Sequence, residues 1–412
     1  MSTSQHNGAA RPAAHGTSAS GTSAPGRGLL LLELDGAGSH PAAWRAAGTA
    51  PASVLTPARL RAVVLAAETA GFHAATFSDP SPSGQRGGEN TAARLNALQR
   101  AAFAGPITRS IALIPEVDTV YTEPFHVSTQ LASLDYVSGG RVGWLVAAST
   151  DPADAAAVGR NVVGADGVAQ EAADSIEVSR RLWDTWEDDA VIRDVATGRY
   201  LDVDKLHYAD FHSTADTEGR SYSIKGPSII PRPLQGQLPV LAPAGLLAPE
   251  AVASGAVDAL LVSAPTPELL TAEITATRDA FTAAPGAPGA PALIAELDVV
   301  LDSRGQSAAG RLARLDAHAS WESPRARFVG TAAELTELLE EVLSVADGIR
   351  LHPAVLDTDL EELATLVLPE LRRRAVLAPL ERDATFREQL GLARPASRYA
   401  ADPAAFTASA GN

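Results

Sequence analysis

The stretch LASLDYVSGGRVGWLVAAST, residues 131–150, decides the fold. It reads as a helix, a tight turn at Gly139 and Gly140, and a buried apolar strand ending in Ser149 and Thr150. Glycine suits the left-handed position that closes a helix, and an apolar run directly after it marks a strand buried on both faces.

Outward from this unit the same alternation continues. Short apolar runs at 29–34, 73–78, 110–115, 141–147, 238–243, 257–263, 292–301 and 348–353 are candidate strands, eight in all. Each is apolar throughout, as strands of a parallel sheet covered on both sides are. Helical patterns lie between them. Thr56 and Pro57 open one, Leu60, Val63, Val64 and Ala67 line its apolar face, and Gly71 ends it. Thr331 and Glu334 form a capping-box pattern before Leu335, Leu338, Leu339 and Val342. A third helix is expected over 168–187. Parallel strands need crossovers, so eight such units predict an α/β chain folded as a (β/α)8 TIM barrel; an open doubly wound sheet is the rival. Residues 188–236 fit neither rhythm and read as an insertion, a lid or wall over the C-terminal face of the strands.

Composition bounds the function. The 412 residues carry a formal net charge of -16, which disfavours nucleic acid or an anionic membrane as a general partner. The chain has no cysteine, excluding disulfides, thiolate nucleophiles and cysteine-ligated metals. No apolar run approaches the roughly 18 residues of a membrane helix, so a soluble, cytoplasmic protein is expected. Residues 1–26 are rich in Ser, Gly, Ala, Thr and Pro and lack the apolar block of a secretory signal; they read as a disordered tail. The barrel is expected over 27–398, with a C-terminal tail at 399–412.

In such a barrel the chemistry lies at the C-terminal strand ends. The polar residues expected there are Asp35, His40, Ser78, Asp79, Glu116, Asp118, Thr119, Ser149, Thr150, Asp151, Ser263 and His352, with Gly245 after the fifth strand. Most have a plainer reading as well. Asp79 before Pro80 suits a turn or helix cap, as do Ser149 and Thr150. His40 suits a surface loop, and His352 a packed position. Glu116 and Asp118 could form an acid/base pair, but no matching acid stands out on another strand. His207 and His212 have no partner cluster, so no metal site is expected. No nucleophile elbow, Walker loop or dinucleotide fingerprint occurs.

The succession SHPAAWR, AAETAGFHAATFSD, VYTEPFHVSTQLASLDYVSGGRVGW, RRLWDTWEDDAVIRD, IKGPSIIPRPLQGQLPVLAPAG and LVLPELRRRAVLAP resembles the bacterial luciferase-like flavin monooxygenases. Within them it is most similar to the nitrilotriacetate, pristinamycin-synthase and dibenzothiophene-sulfone branch, over residues 29–398. The resemblance implies an oligomeric (β/α)8 barrel that takes reduced FMN from a separate flavin reductase and uses O2 to oxygenate a small organic substrate. It implies that Asp79, Thr119, Tyr121, Ser149, Gly245 and Leu246 stand at the flavin, with Gly245 at its phosphate. His40 matches the histidine of the family's His-Pro-x-x-Trp-Arg stretch, near the substrate, and is the candidate catalytic residue.

The chain departs from the pattern at this same site. Leu145 and Ala148 stand where the family carries Asn and Thr on the fourth strand. Leu246 and Leu247 replace two serines after the fifth, and the tyrosine expected near 168 is absent. Each missing partner to a buried ligand atom costs about 1–3 kcal/mol. A barrel that has given up flavin and serves as a structural or regulatory partner is therefore the alternative.

Overall fold

A computed structural model describes residues 28–48, 51–79, 95–214, 221–282 and 290–400. The tail expected over 1–26 lies outside the described residues, as does all but the first two residues of the tail at 399–412.

The eight expected strands all form: β1 (Leu29–Glu33), β2 (Ala74–Phe77), β3 (Ala112–Asp118), β4 (Trp144–Ala147), β5 (Val240–Pro243), β6 (Ala259–Val262), β7 (Ala292–Leu301) and β8 (Gly348–Pro353). Each pairs in parallel with the next, and β8 returns to β1 through Leu29↔Gly348 to Leu32↔Leu351, closing the barrel. A further strand, Ala326–Gly330, was not expected. The ten residues of β7 outrun the barrel, and the outer half, Leu297 to Leu301, pairs with it.

Local chemistry sets the helices between the strands. In α1 (Pro57–Ala70) the Thr56 hydroxyl accepts from Arg59 N, and Gly71, at φ +90°, returns its N–H to Ala67 and Glu68. Helix α2 (Pro124–Ser138) is capped by the Glu123 carboxylate, which takes the N–H groups of Phe125 and His126. The turn after it needs both glycines, with φ of +71° at Gly139 and +85° at Gly140. The third expected helix, α3, spans Ala165–Asp184, and the capping box of Thr331 and Glu334 opens α4 (Ala332–Leu343). No described helix is long and apolar enough to cross a membrane.

The insertion holds two antiparallel ribbons, Val191–Asp194 with Arg199–Leu201 and Phe211–His212 with Ser223–Ile224. Strands of two to four residues are too short to show a period, so the sequence pattern missed them. Ala209, Phe211 and Ile224 pack on Val178 and Leu182 of α3. Trp186 Nε1 ties the helix end to Ser228 O at 2.7 Å.

The strands divide two apolar regions. The larger lies between barrel and helices. The smaller fills the barrel, with Leu31, Ile114, Leu145, Leu241, Leu261 and Ile294 packed on Phe386 of the C-terminal segment. Phe386 comes so close that a Cβ on Gly143 would meet its ring at 2.7 Å.

Candidate functional site

Two residues along the strands from this inner apolar layer, the interior turns polar. Strand alternation carries Leu31 to Glu33, Ala74 to Thr76, Ile114 to Glu116, Leu261 to Ser263, Ile294 to Glu296 and Gly348 to Arg350 and His352. All of these side chains but Glu116 form one hydrogen-bonded network at the C-terminal end of the barrel.

Arg350 is its centre. It pairs with Glu33, donates to Glu296 at 2.9 Å and to the Thr76 hydroxyl at 2.9 Å, and reaches the Ser78 hydroxyl. Thr76 in turn donates to Glu33 at 2.6 Å, and Ser78 N donates to the same carboxylate at 3.0 Å. Glu296 also takes the Ser263 hydroxyl at 2.7 Å and meets His352 Nε2 at 3.1 Å. Burial alone would raise the pKa of Glu33, but the charges of Arg350 and His352 and the hydrogen bonds from Thr76 and Arg350 take it down to about 2. Glu296 is depressed as well, its burial outweighed by His352 and Arg350. Burial and the neighbouring guanidinium lower the pKa of His352 against the opposing pull of Glu296.

Glu116 differs. Burial, with Glu33 and Asp35 adding repulsion against the attraction of Arg350, pushes it up to about 7. Asp79 N donates to it at 3.2 Å, so a carboxyl group that can hold or release a proton near neutrality stands at the ends of β2 and β3. Asp118, proposed as its partner, is committed to the backbone: it accepts from Val120 N, Tyr121 N and Ser149 N. The acid/base pair is therefore not formed.

The residues matched to flavin binding gather at the ends of β2 to β5. Val120, Val163 and Val168 pack with Tyr121, Ala148 and Leu246, which draws the loops after β3, β4 and β5 together. Their polar groups are already engaged. Thr119 Oγ1 donates to Ala147 O at 2.9 Å, Ser149 Oγ to Asp154 at 2.6 Å, and the Tyr121 hydroxyl accepts from Val163 N at 3.2 Å. Asp79 takes Asn96 Nδ2 at 2.6 Å and Ala97 N, at the start of helix Ala97–Ala104. Gly245 sits at φ +84° with no atom within 4 Å of where a Cβ would stand. Leu145, 2% exposed, belongs to the inner apolar layer, and its side chain offers no hydrogen bond.

His40 is not at this site. Its side chain is fully buried, Nδ1 accepts from Ala42 N at 3.0 Å, and Nε2 meets Asp316 at 3.1 Å. Nδ1 closes its own loop and Nε2 ties that loop to the end of helix Ala308–Asp316, the geometry of a clamp.

Sequence reasoning did not single out Glu33, Thr76, Glu296 or Arg350. The available signal was charge inside otherwise apolar runs: one acid in LLLLEL, two at even spacing in ALIAELDVVL, and one arginine in GIRLHP.

A closed parallel barrel with polar side chains gathered at the C-terminal ends of its strands has the architecture of a (β/α)8 enzyme. The sequence profile of the luciferase-like monooxygenases matches residues 37–367, and the chain belongs to that family. N-acetyl-S-(2-succino)cysteine monooxygenase of Bacillus subtilis (strain 168) is 26% identical, over 90% of this chain and 98% of its own. A pristinamycin IIA synthase component of Streptomyces pristinaespiralis is 30% identical, over 82% of this chain and 90% of its own. Among solved structures, long-chain alkane monooxygenase superposes with a TM-score of 0.76 at 17% identity, covering 89% of this chain and 95% of that one, and supports the fold.

Proposed function

We propose that this protein is a flavin-dependent monooxygenase that takes reduced FMN from a separate reductase and, with O2, oxygenates a small organic substrate. The open turn at Gly245, beside the joined loops of β3 to β5, carries the reading. Backbone there would receive the phosphate, and Asp79, Thr119, Tyr121 and Ser149 would flank the ring. Bound reduced flavin supplies the electrons for O2, while the protein orients the partners and keeps water out. At the barrel mouth, Glu116 can hold or pass a proton near neutral pH. The synthase relative is itself one part of a larger enzyme, which fits a system in which a second protein contributes. The insertion at 188–236, a homo-oligomeric assembly and a cytoplasmic location belong to the same reading.

One observation favours a second reading. Leu246 packs with Tyr121 and Ala148, and every hydroxyl at the expected ring site is satisfied internally. A barrel filled in this way would serve as a flavin-free partner protein. Anaerobic titration with reduced FMN separates the two: saturable binding at micromolar flavin supports the enzyme. No binding by about 1 mM, a free energy weaker than about -4 kcal/mol, leaves the partner role.

A further inference from the structure

Away from the flavin-side loops, a cleft of about 380 Å³ lies just beyond the ends of β7 and β8. Arg45, Arg304, Arg311, Arg314 and His318 line it, and among the described residues no Asp or Glu does, in a chain whose net charge is -16. Cations thus converge on one concavity against the bias of the whole protein.

The walls hold these charges in different ways. Arg311 is buried and fixed by Asp359 at 2.7 Å. Arg304 leaves β7 on a turn with φ of +50°, followed by Gly305 at +75°, and its contact to Glu361 is between two groups more than half exposed. Such a pair is worth little in water and leaves the guanidinium available. Arg314 is exposed and donates to the Gln306 side-chain oxygen, with no carboxylate partner among the described residues. On the same wall Ser303 has a buried hydroxyl oxygen without a hydrogen-bond partner. An arginine in the left-handed region at the end of a barrel strand is a strained position of the kind that collects at ligand sites.

From this geometry we infer that the cleft is a binding site for a small polyanion, a molecule carrying two or more carboxylate or phosphate groups. Guanidinium forks match both groups in pairs of parallel hydrogen bonds, and the volume admits a molecule of this size. The site lies on the β7–β8 arc, whereas the flavin-matched residues stand on β2 to β5, so it does not rest on the flavin reading.

Calorimetric titration of the purified full chain with citrate, and separately with pyrophosphate, tests it at ionic strength held constant with chloride. A single saturable site for either anion is expected, and the tighter of the two tells a carboxylate ligand from a phosphate one. Arg314→Ala and Arg304→Ala should each weaken binding about tenfold or more, the loss of one charge-assisted contact. Both side chains are exposed, so thermal melts of the variants should match the parent. No saturation by about 1 mM of either anion, or an affinity that both variants leave unchanged, overturns the inference. Neither outcome touches flavin binding, because the titration contains none.

Discussion

Replacing Arg350 with Met examines the barrel's polar layer directly. The side chains of Arg350, Glu33 and Glu296 are 5%, 3% and 11% exposed, so methionine leaves two buried carboxylates without their shared counter-charge. Breaking one buried pair costs about 3–5 kcal/mol, and the lost bonds to Thr76 and Ser78 add to it. Extrapolated to a chain of this length, about 1–2 °C per kcal/mol gives a fall in Tm of about 3–10 °C at pH 7.

The pH dependence has a definite sign. In the parent, the depressed Glu33 contributes stability that is complete above its ordinary value of 4.5 and is lost as pH falls from there toward about 2. Without Arg350, burial raises both carboxylates, and the deficit is greatest where they should be ionised. Melts of parent and variant should therefore differ most at pH 7 and draw together as pH falls below 4.5. The triple change Glu33→Gln, Glu296→Gln, Arg350→Met should recover most of the loss, because it buries no unpaired charge. A fall under about 1 °C at pH 7, or a gap that widens on acidification, would refute the placement of these charges.

Three further outcomes follow from single contacts. Glu116→Gln removes a carboxyl held up to about 7, whose ionisation opposes folding as pH rises past 4.5; the variant should gain on the parent by on the order of 3 kcal/mol above pH 7 and match it below 4.5, read from denaturant melts. Gly71→Ala places a Cβ 1.8 Å from Arg372 Nη2 at φ +90° and should cost about 2 kcal/mol or more, seen as an earlier unfolding midpoint. Leu246→Ser returns a hydroxyl beside the open turn at Gly245, and should tighten reduced FMN about tenfold in the anaerobic titration; an unchanged affinity would mean the phosphate does not lie there.

The barrel was legible because each strand is a compact apolar run and the helices between them carry their own signals, at Thr56, Gly71, Thr331 and Glu334. The polar layer was not, and the reason is geometric. When both faces of a strand are buried, parity has no visible meaning, so Glu33 in LLLLEL can point to the helices or to the barrel axis. Only register decides, and Leu31↔Ala74 with Glu33↔Thr76 sends Glu33 to the axis. His40 shows the converse. A matched motif fixed its place in the chain, while the contact of its Nε2, to Asp316, depends on a helix more than 260 residues away.

Stability does not account for the polar layer. A buried Arg–carboxylate cluster is at best equal to apolar packing of the same volume, and the inner layer directly beneath it is built from Leu and Ile. What the cluster does provide is a fixed field: two depressed carboxylates and one guanidinium, ordered by Thr76, Ser78 and Ser263, surround Glu116, whose carboxyl is pushed up to about 7. Leu145 and Leu246 make the β4 and β5 side apolar, while charged groups line β1, β7 and β8, inside the barrel at Arg350 and outside it at Arg304 and Arg311. The charged groups inside and outside the barrel therefore meet on the arc from β7 to β1.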